Sequence, residues 1–227
     1  MATVIRLNNA NFDNPNLPVF FPVEAEGLIA GYTFDGRIST LAGGQLSITG
    51  NPILDESGIT INSATDLITT NVVDAEHEEL TVFMVGKRVA TPAVNSFMVG
   101  TYTDGFTVYS QAGKLIIWGK DSVDGSAVQP STLAFDVDSP FLSVSQRSQN
   151  MVKLSVPGLN MVASKTSENP ISKSMDKIRL GESQVGREPI IHVSALLIYN
   201  KLLDEQTISK VNSQLRSYFS PLNINVQ

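Results

Sequence analysis

The chain has 227 residues, 22 acidic against 16 basic for a formal charge of −6, and 42% apolar residues. Such a composition supports a sizeable buried core, and the lack of any basic cluster argues against nucleic acid and against insertion in an anionic membrane. Cysteine is absent, which excludes disulfides, thiolate metal sites and cysteine nucleophiles, and no apolar run approaches membrane-spanning length.

Residues 1–26 differ in character from the rest. Ala2 to Leu7 can form one short strand, but Asn8 to Pro18 is dense in Asn and Pro, lacks periodicity and reads as an arm or linker. Val19 to Val23 is an apolar patch in this arm, suited either to tuck against its own domain or to dock on a neighbouring subunit. The N-terminus lacks the basic-then-apolar pattern of a secretory leader, so folding in a cytoplasm is expected.

From Gly27 the chain is a succession of short strand-like runs separated by turn signals. Leu28, Ala30, Tyr32 and Phe34 alternate on one face before Asp35-Gly36 ends the first run. The runs GQLSITG, SGITINSAT, LITTNVV and ELTVFMVGKRV follow. Thr103-Asp104-Gly105 and Gln111-Ala112-Gly113 read as the turns of two successive hairpins that end in KLIIWGK. FLSVSQRS, NMVKLSVPGL and DKIRLGES continue the theme, with polar loops expected at 121–130 and 164–174. Ten or more strands at this spacing predict a large sandwich in one domain.

The last stretch, Ile190 to Phe219, changes period in the middle. Ile191, Val193, Ala195, Leu197 and Tyr199 alternate, while Ile190, Leu196 and Ile198 make the other face apolar too, as in a strand covered on both sides. Asp204 then caps a helix in which Ile208, Val211, Leu215 and Tyr218 recur at helical spacing, with Leu203 and Ile208 placed as a hydrophobic staple.

The order GLIAGYTFDG, GITINSATDLI, ELTVFMVGKR, a GKLIIW hairpin, DKIRLG and VSALLIYNKLLDEQTISKVNSQL resembles the concanavalin A-like lectin/glucanase superfamily. The resemblance is to its laminin-G-like form, in the style of phage tail and bacterial surface proteins. Its most specific part is the ending, carried by Ile198, Tyr199, Asn200, Leu203, Asp204, Glu205 and Ile208. The resemblance implies an all-β fold, a two-sheet antiparallel jelly-roll sandwich with one short C-terminal helix. It also implies binding of carbohydrate or protein through the rim or one sheet. The expected division is an arm at 1–26, a jelly roll at 27–219 and a C-terminal tail at 220–227.

Glucanases need paired carboxylates facing a cleft. The dense run Asp74-Ala75-Glu76-His77-Glu78-Glu79 has no interleaved apolar residues and reads as a solvated turn, so no catalytic residues are expected. His77 and His192 are too few for a zinc site. Asp121, Asp124 and Gly125 carry oxygen ligands but form no calcium loop and read as a turn, so neither metal nor cofactor is expected. No G-x-S-x-G elbow or phosphate loop occurs. For sugar, the chemistry calls for an exposed aromatic beside polar groups. The one tryptophan, Trp118, with Tyr102, Asp104 and Tyr109 on the adjoining hairpin, is the best candidate for that need, although all three rings suit the core or its edge better.

Together these readings predict a non-enzymatic, lectin-like phage or prophage virion protein, a tail fibre, tailspike or baseplate component that binds host surface polysaccharide. It would assemble in the host cytoplasm as a homo-oligomer, a trimer by preference, and join other virion proteins through its arm. The alternatives are a capsid-decoration or tail-scaffold protein and, behind it, a polysaccharide hydrolase.

Overall fold

The computed structural model describes residues 23–62, 65–89, 95–101, 104–181 and 190–227. In chain order the strands are β1 (Leu28–Phe34), β2 (Ile38–Ala42), β3 (Ser47–Thr49), β4 (Ile53–Asp55), β5 (Gly58–Ile61), β6 (Leu67–Val73), β7 (Leu80–Arg88) and β8 (Ser96–Gly100). They continue as β9 (Phe106–Gln111), β10 (Lys114–Lys120), β11 (Ala127–Val128), β12 (Leu133–Ala134), β13 (Phe141–Arg147), β14 (Met151–Val156), β15 (Met161–Thr166), β16 (Lys177–Leu180) and β17 (Ile191–Tyr199). A helix, α1 (Glu205–Phe219), follows.

These strands form two antiparallel sheets, as the sequence predicts for a sandwich. The first runs β15-β14-β13-β7-β17-β1-β2, with the β4–β5 hairpin beside β17. The second runs β11-β10-β9-β8-β16-β6-β3, with β12 also on β10. Between them lies the main core, in which Tyr32, Phe34, Met84, Phe106, Ile117 and Phe141 are among the buried side chains.

The central strand β17 is apolar on both faces, but not by one unbroken alternation. A register shift between Val193 and Ala195 against β7 turns the strand over. Ile191, Val193, Leu196 and Ile198 therefore face the inter-sheet core, while Ala195, Leu197 and Tyr199 face outward. The single face expected for Ile191 through Tyr199 is split by this bulge. A second bulge, between Leu28 and Ala30, sends Leu28 outward, away from Ala30, Tyr32 and Phe34.

The outward face of the first sheet is closed by α1. Asp204 caps it, accepting a hydrogen bond from Thr207 N at 2.7 Å. Ile208, Val211, Leu215 and Phe219 are buried against Phe83, Val144, Leu197 and Tyr199. Each such side chain contributes about 1.5–3 kcal/mol relative to exposure. Residues 220–227, the expected C-terminal tail, pack on this face of the sheet. Ile224 and Val226 alternate into the same cluster. Gln227 closes the strand-like pairing, with its N–H on Pro140 O at 2.9 Å and its O accepting from Leu142 N at 3.2 Å. Val23 also packs there, and Glu24 O accepts from the Tyr199 hydroxyl at 2.9 Å, so the folded unit begins before Gly27.

The acidic run from Asp74 is only partly a solvated turn. Glu78 pairs with Lys173 at the surface at 2.5 Å. Asp74 is fully buried with Arg147, whose Nη2 lies 2.9 Å from Asp74 Oδ1. Arg147 also donates to the carbonyls of Asp74, His77 and Glu78 at 3.2, 2.9 and 3.1 Å, and Asp74 Oδ2 accepts from Ser174 N at 2.8 Å. Burial pushes the Asp74 carboxyl above the ordinary carboxylate range, against the opposite pull of Arg147. The pair ties β13 to two loops at one end of the sandwich.

Removing one partner leaves a buried charge without its counter-ion. Arg147→Met is expected to cost about 3–5 kcal/mol of unfolding free energy, and Asp74→Leu in the same chain to restore much of it. Urea denaturation of both variants measures this; near-equal stability of Arg147→Met and the parent would contradict the role assigned to the pair.

Candidate functional site

Ala112 and Gly113, at φ 47° and 74°, make the tight mirror-image turn that joins β9 to β10. The register opposes Tyr109 to Ile116 and Thr107 to Trp118. Phe106, Val108, Leu115 and Ile117 point into the core, so Thr107, Tyr109, Ile116 and Trp118 point out of the sandwich. Trp118 is half-buried, whereas Tyr109 and Ile116 are only 5% and 3% exposed. The Tyr109 ring is thus packed and offers no open face for stacking.

Asp104, in the hairpin before β9, pairs with Lys120 Nζ at 2.8 Å, and both side chains are more than a third exposed. Lys120 stands two residues beyond Trp118 on the same face of β10. Of the four residues singled out from the sequence, Asp104 and Trp118 reach one part-exposed surface, while Tyr109 lies buried on the same side of the sheet. The fourth, Tyr102, lies outside the described residues. The row that carries Trp118 continues across the sheet through Thr107 and Gly100 to Arg179. A Cβ on Gly100 would lie 2.3 Å from Phe106 O, and its φ of +139° is one that glycine alone adopts freely. Arg179 Nη2 bonds Asp176 Oδ2 at 3.1 Å. The surface carries a part-exposed indole near the Asp104–Lys120 pair, with Arg179–Asp176 three strands away on the same face.

A second polar cluster was not legible in the sequence. His192 on β17 meets Thr60 Oγ1 through Nδ1 at 2.8 Å and Ser57 Oγ through Nε2 at 3.2 Å. Ser57 Oγ donates to Asp55 Oδ1 at 2.6 Å, and Ser194 Oγ donates to Ser57 O at 2.6 Å. A cavity of about 120 Å³ lined by Ser57, Lys87, His192 and Asn223 lies beside it. The contact suggests a nucleophile and its base, but the polarity is wrong. The carboxylate is the strongest acceptor present, so Ser57 gives its proton to Asp55 and receives one from Nε2, while Nδ1 accepts from Thr60. Nucleophilic activation needs the serine proton on the imidazole. The Ser57 and Gly58 amides also donate to Asp55, at 2.7 and 3.1 Å, leaving neither free for an oxyanion. The cluster pins the β4–β5 hairpin to β17.

In the loop of Asp121, Asp124 and Gly125, Asp121 is 3% exposed and its carboxylate is taken up by donors. Val123 N and Asp124 N bond one oxygen at 2.8 and 3.3 Å, and Ser167 Oγ and Asn169 Nδ2 bond the other at 2.6 and 3.2 Å. These bonds hold the carboxyl below its usual range, with Ser167 the main cause. It is a turn that tethers the loop after β10 to the segment after β15. No group of three or more His, Cys, Asp or Glu suited to a metal ion occurs among the described residues.

A groove of about 340 Å³ runs between α1 and the β14–β15 edge, lined by Lys153, Asn160, Val162, Glu205, Ile208 and Asn212. It holds no aromatic ring.

No family model matches the chain, and no curated protein matches it in sequence. Among solved structures it is similar to receptor-binding domains of botulinum neurotoxins. The binding domain of neurotoxin DC in complex with SialylT superposes with a TM-score of 0.64 at 12% identity, over 83% of this chain and 52% of that one. The type G receptor-binding domain gives 0.64 at 10% identity, over 85% and 52%, and the serotype D binding domain 0.62 at 14%, over 82% and 51%. The chain thus spans about half the length of these neighbours. At this identity the likeness shows the fold alone, a two-sheet antiparallel sandwich.

His192 gives the cluster a pH signature. Burial holds its imidazole below the ordinary value, with Lys87 adding to the depression and Asp55 opposing it. The unfolded chain therefore takes up this proton first as pH falls, and the stability is complete above about pH 6.5 and lost on acidification. His77 is held down in the same direction by its own burial. In urea titrations, His192→Gln is expected to show a smaller loss of stability between pH 7 and 5 than the parent. Equal losses would show that His192 carries no part of it.

Proposed function

We propose that the protein is a non-enzymatic, lectin-like binding module that holds a surface polysaccharide on the outward face of its second sheet. The carrying observation is Trp118, the chain's one tryptophan, part-exposed there near the Asp104–Lys120 pair. An indole face packs on the C–H face of a pyranose, and a neighbouring ammonium and carboxylate supply donor and acceptor for its hydroxyls. Similarity to receptor-binding domains supports this reading, as does the ordinary structural use found for the buried polar groups of Asp74, Asp121 and His192.

The same proposal sets the module in a bacteriophage or prophage particle, as a tail-fibre, tailspike or baseplate component assembled in the host cytoplasm. The Asn- and Pro-rich arm ahead of the sandwich and the absence of cysteine support that setting. The arm would join other virion proteins or sister subunits, with a trimer the expected form. The arm equally favours a second reading, a capsid-decoration or tail-scaffold protein. Because Val23 and Glu24 are part of the folded unit, a deletion of residues 2–22 separates assembly from ligand binding.

A glycan array and whole-cell binding assay test the primary reading. The full chain is expected to retain a bacterial surface polysaccharide, and Trp118→Ala and Lys120→Met to weaken it by about tenfold or more, the effect of roughly 1.4 kcal/mol. Urea denaturation of the same variants separates loss of binding from loss of fold. No binding to any surface glycan, or binding untouched by either variant, would overturn it.

A further inference from the structure

Among the described residues the first sheet ends at β15, β2 and β4, and the second at β11, β12 and β3. β11 and β12 have two residues each, β3 and β4 have three, and β2 meets β1 through a bulge between Gly31 and Tyr32. Short or bulged edges keep a sheet from recruiting another strand. β15 has neither protection. It keeps an unbroken register with β14 over Met161–Thr166 and contains no proline.

Its outward groups follow from that register. Ser167 N donates to Asn150 O at 2.8 Å, which makes 150 and 167 a bonded pair. Bonded pairs alternate along an antiparallel ladder, so Lys165 and Ala163 bond β14 while Val162, Ser164 and Thr166 turn N–H and C=O to the open side. Ala163 faces the core, so the side chains of these three lie on the α1 side, all exposed and none charged.

We propose that β15 is a self-association edge, pairing antiparallel with β15 of a second copy about a two-fold axis through Ser164. A two-fold normal to the sheet must centre on a residue, because directly opposed residues share a face. Centring on Ser164 opposes Val162 to Thr166 and gives every outward N–H and C=O of the three residues a partner. Centring on Ala163 strands Thr166, and centring on Lys165 strands Val162 and opposes two lysines, which destabilises a pair. With Ser164 at the axis each Lys165 meets Ala163 instead. The outer face at the junction is Val162, Ser164 and Thr166 from both copies, with no like charges opposed. The groove beside α1 then meets its counterpart across the junction.

The contact is independent of the arm and of the sugar site, and it predicts a dimer unit. Sedimentation of the full chain at rising concentration is expected to show a doubling of mass, whether of the single chain or of the unit that the arm joins. Ser164→Pro removes an outward N–H without touching the β14 ladder, and is expected to abolish the doubling with unchanged far-UV circular dichroism. Ser164→Cys supplies the chain's sole thiol about 5.5 Å from its copy by Cα, within disulfide reach, and is expected to give a covalent dimer on mild oxidation. Ser217→Cys, on the exposed side of α1, is expected to give none. A chain that stays monomeric overturns the proposal. So does an assembly that survives Ser164→Pro and is not joined through Ser164→Cys, including an arm-mediated trimer or a foreign strand on the edge.

Discussion

The fold depends on β17 being apolar on both faces. It pairs with β7, β1 and β5, so it sits between layers rather than at a surface, and all its residues from Ile191 to Tyr199 are buried. One face closes the sandwich; the other would be a large exposed apolar patch without α1. The short segment from Asn200 to Asp204 forces the helix to return over the strand that precedes it. Thr81 Oγ1 donates to Lys201 O at 2.7 Å and accepts from Leu203 N at 3.1 Å, and so fixes that return. The C-terminal residues and Val23 finish the cover.

How much of this was legible depends on whether a residue's partner is local. The β9–β10 hairpin is written in Ala112-Gly113, and the helix start in Leu203, Asp204 and Ile208, because turns and caps are local chemistry. The bulge at Val193–Ala195 is not, since a strand apolar on both faces shows no break in pattern when it turns over. Asp74 reads as a surface acid because its counter-ion, Arg147, lies on another strand. β15 was hidden for the opposite reason: Ala163 is its one buried residue, so Ser164 to Thr166 look like the start of a loop. An edge strand carries half the hydrophobic signal of an inner one.

The polar groups divide by the same logic. Asp74 with Arg147, Asp121 with Ser167 and Asn169, and His192 with Thr60 and Ser57 are enclosed and satisfied, which is what rigid loop anchors require. Buried polar groups of this kind imitate catalytic constellations in a residue count, yet their protons are already committed. The proposed ligand site draws instead on surface groups of the second sheet, Trp118, Lys120 and Asp104. Of the residues named from the sequence, the buried Tyr109 belongs to the scaffold beneath that surface.

Because Trp118 is the chain's one tryptophan, its fluorescence reports on the proposed site without labelling. The decisive measurement is a titration of the full chain with the polysaccharide it retains, following indole emission. The account predicts a saturable shift in emission that tracks binding, lost in Lys120→Met at concentrations that saturate the parent. Saturable binding measured calorimetrically with no change in indole emission would contradict it, because the ligand would then sit away from Trp118.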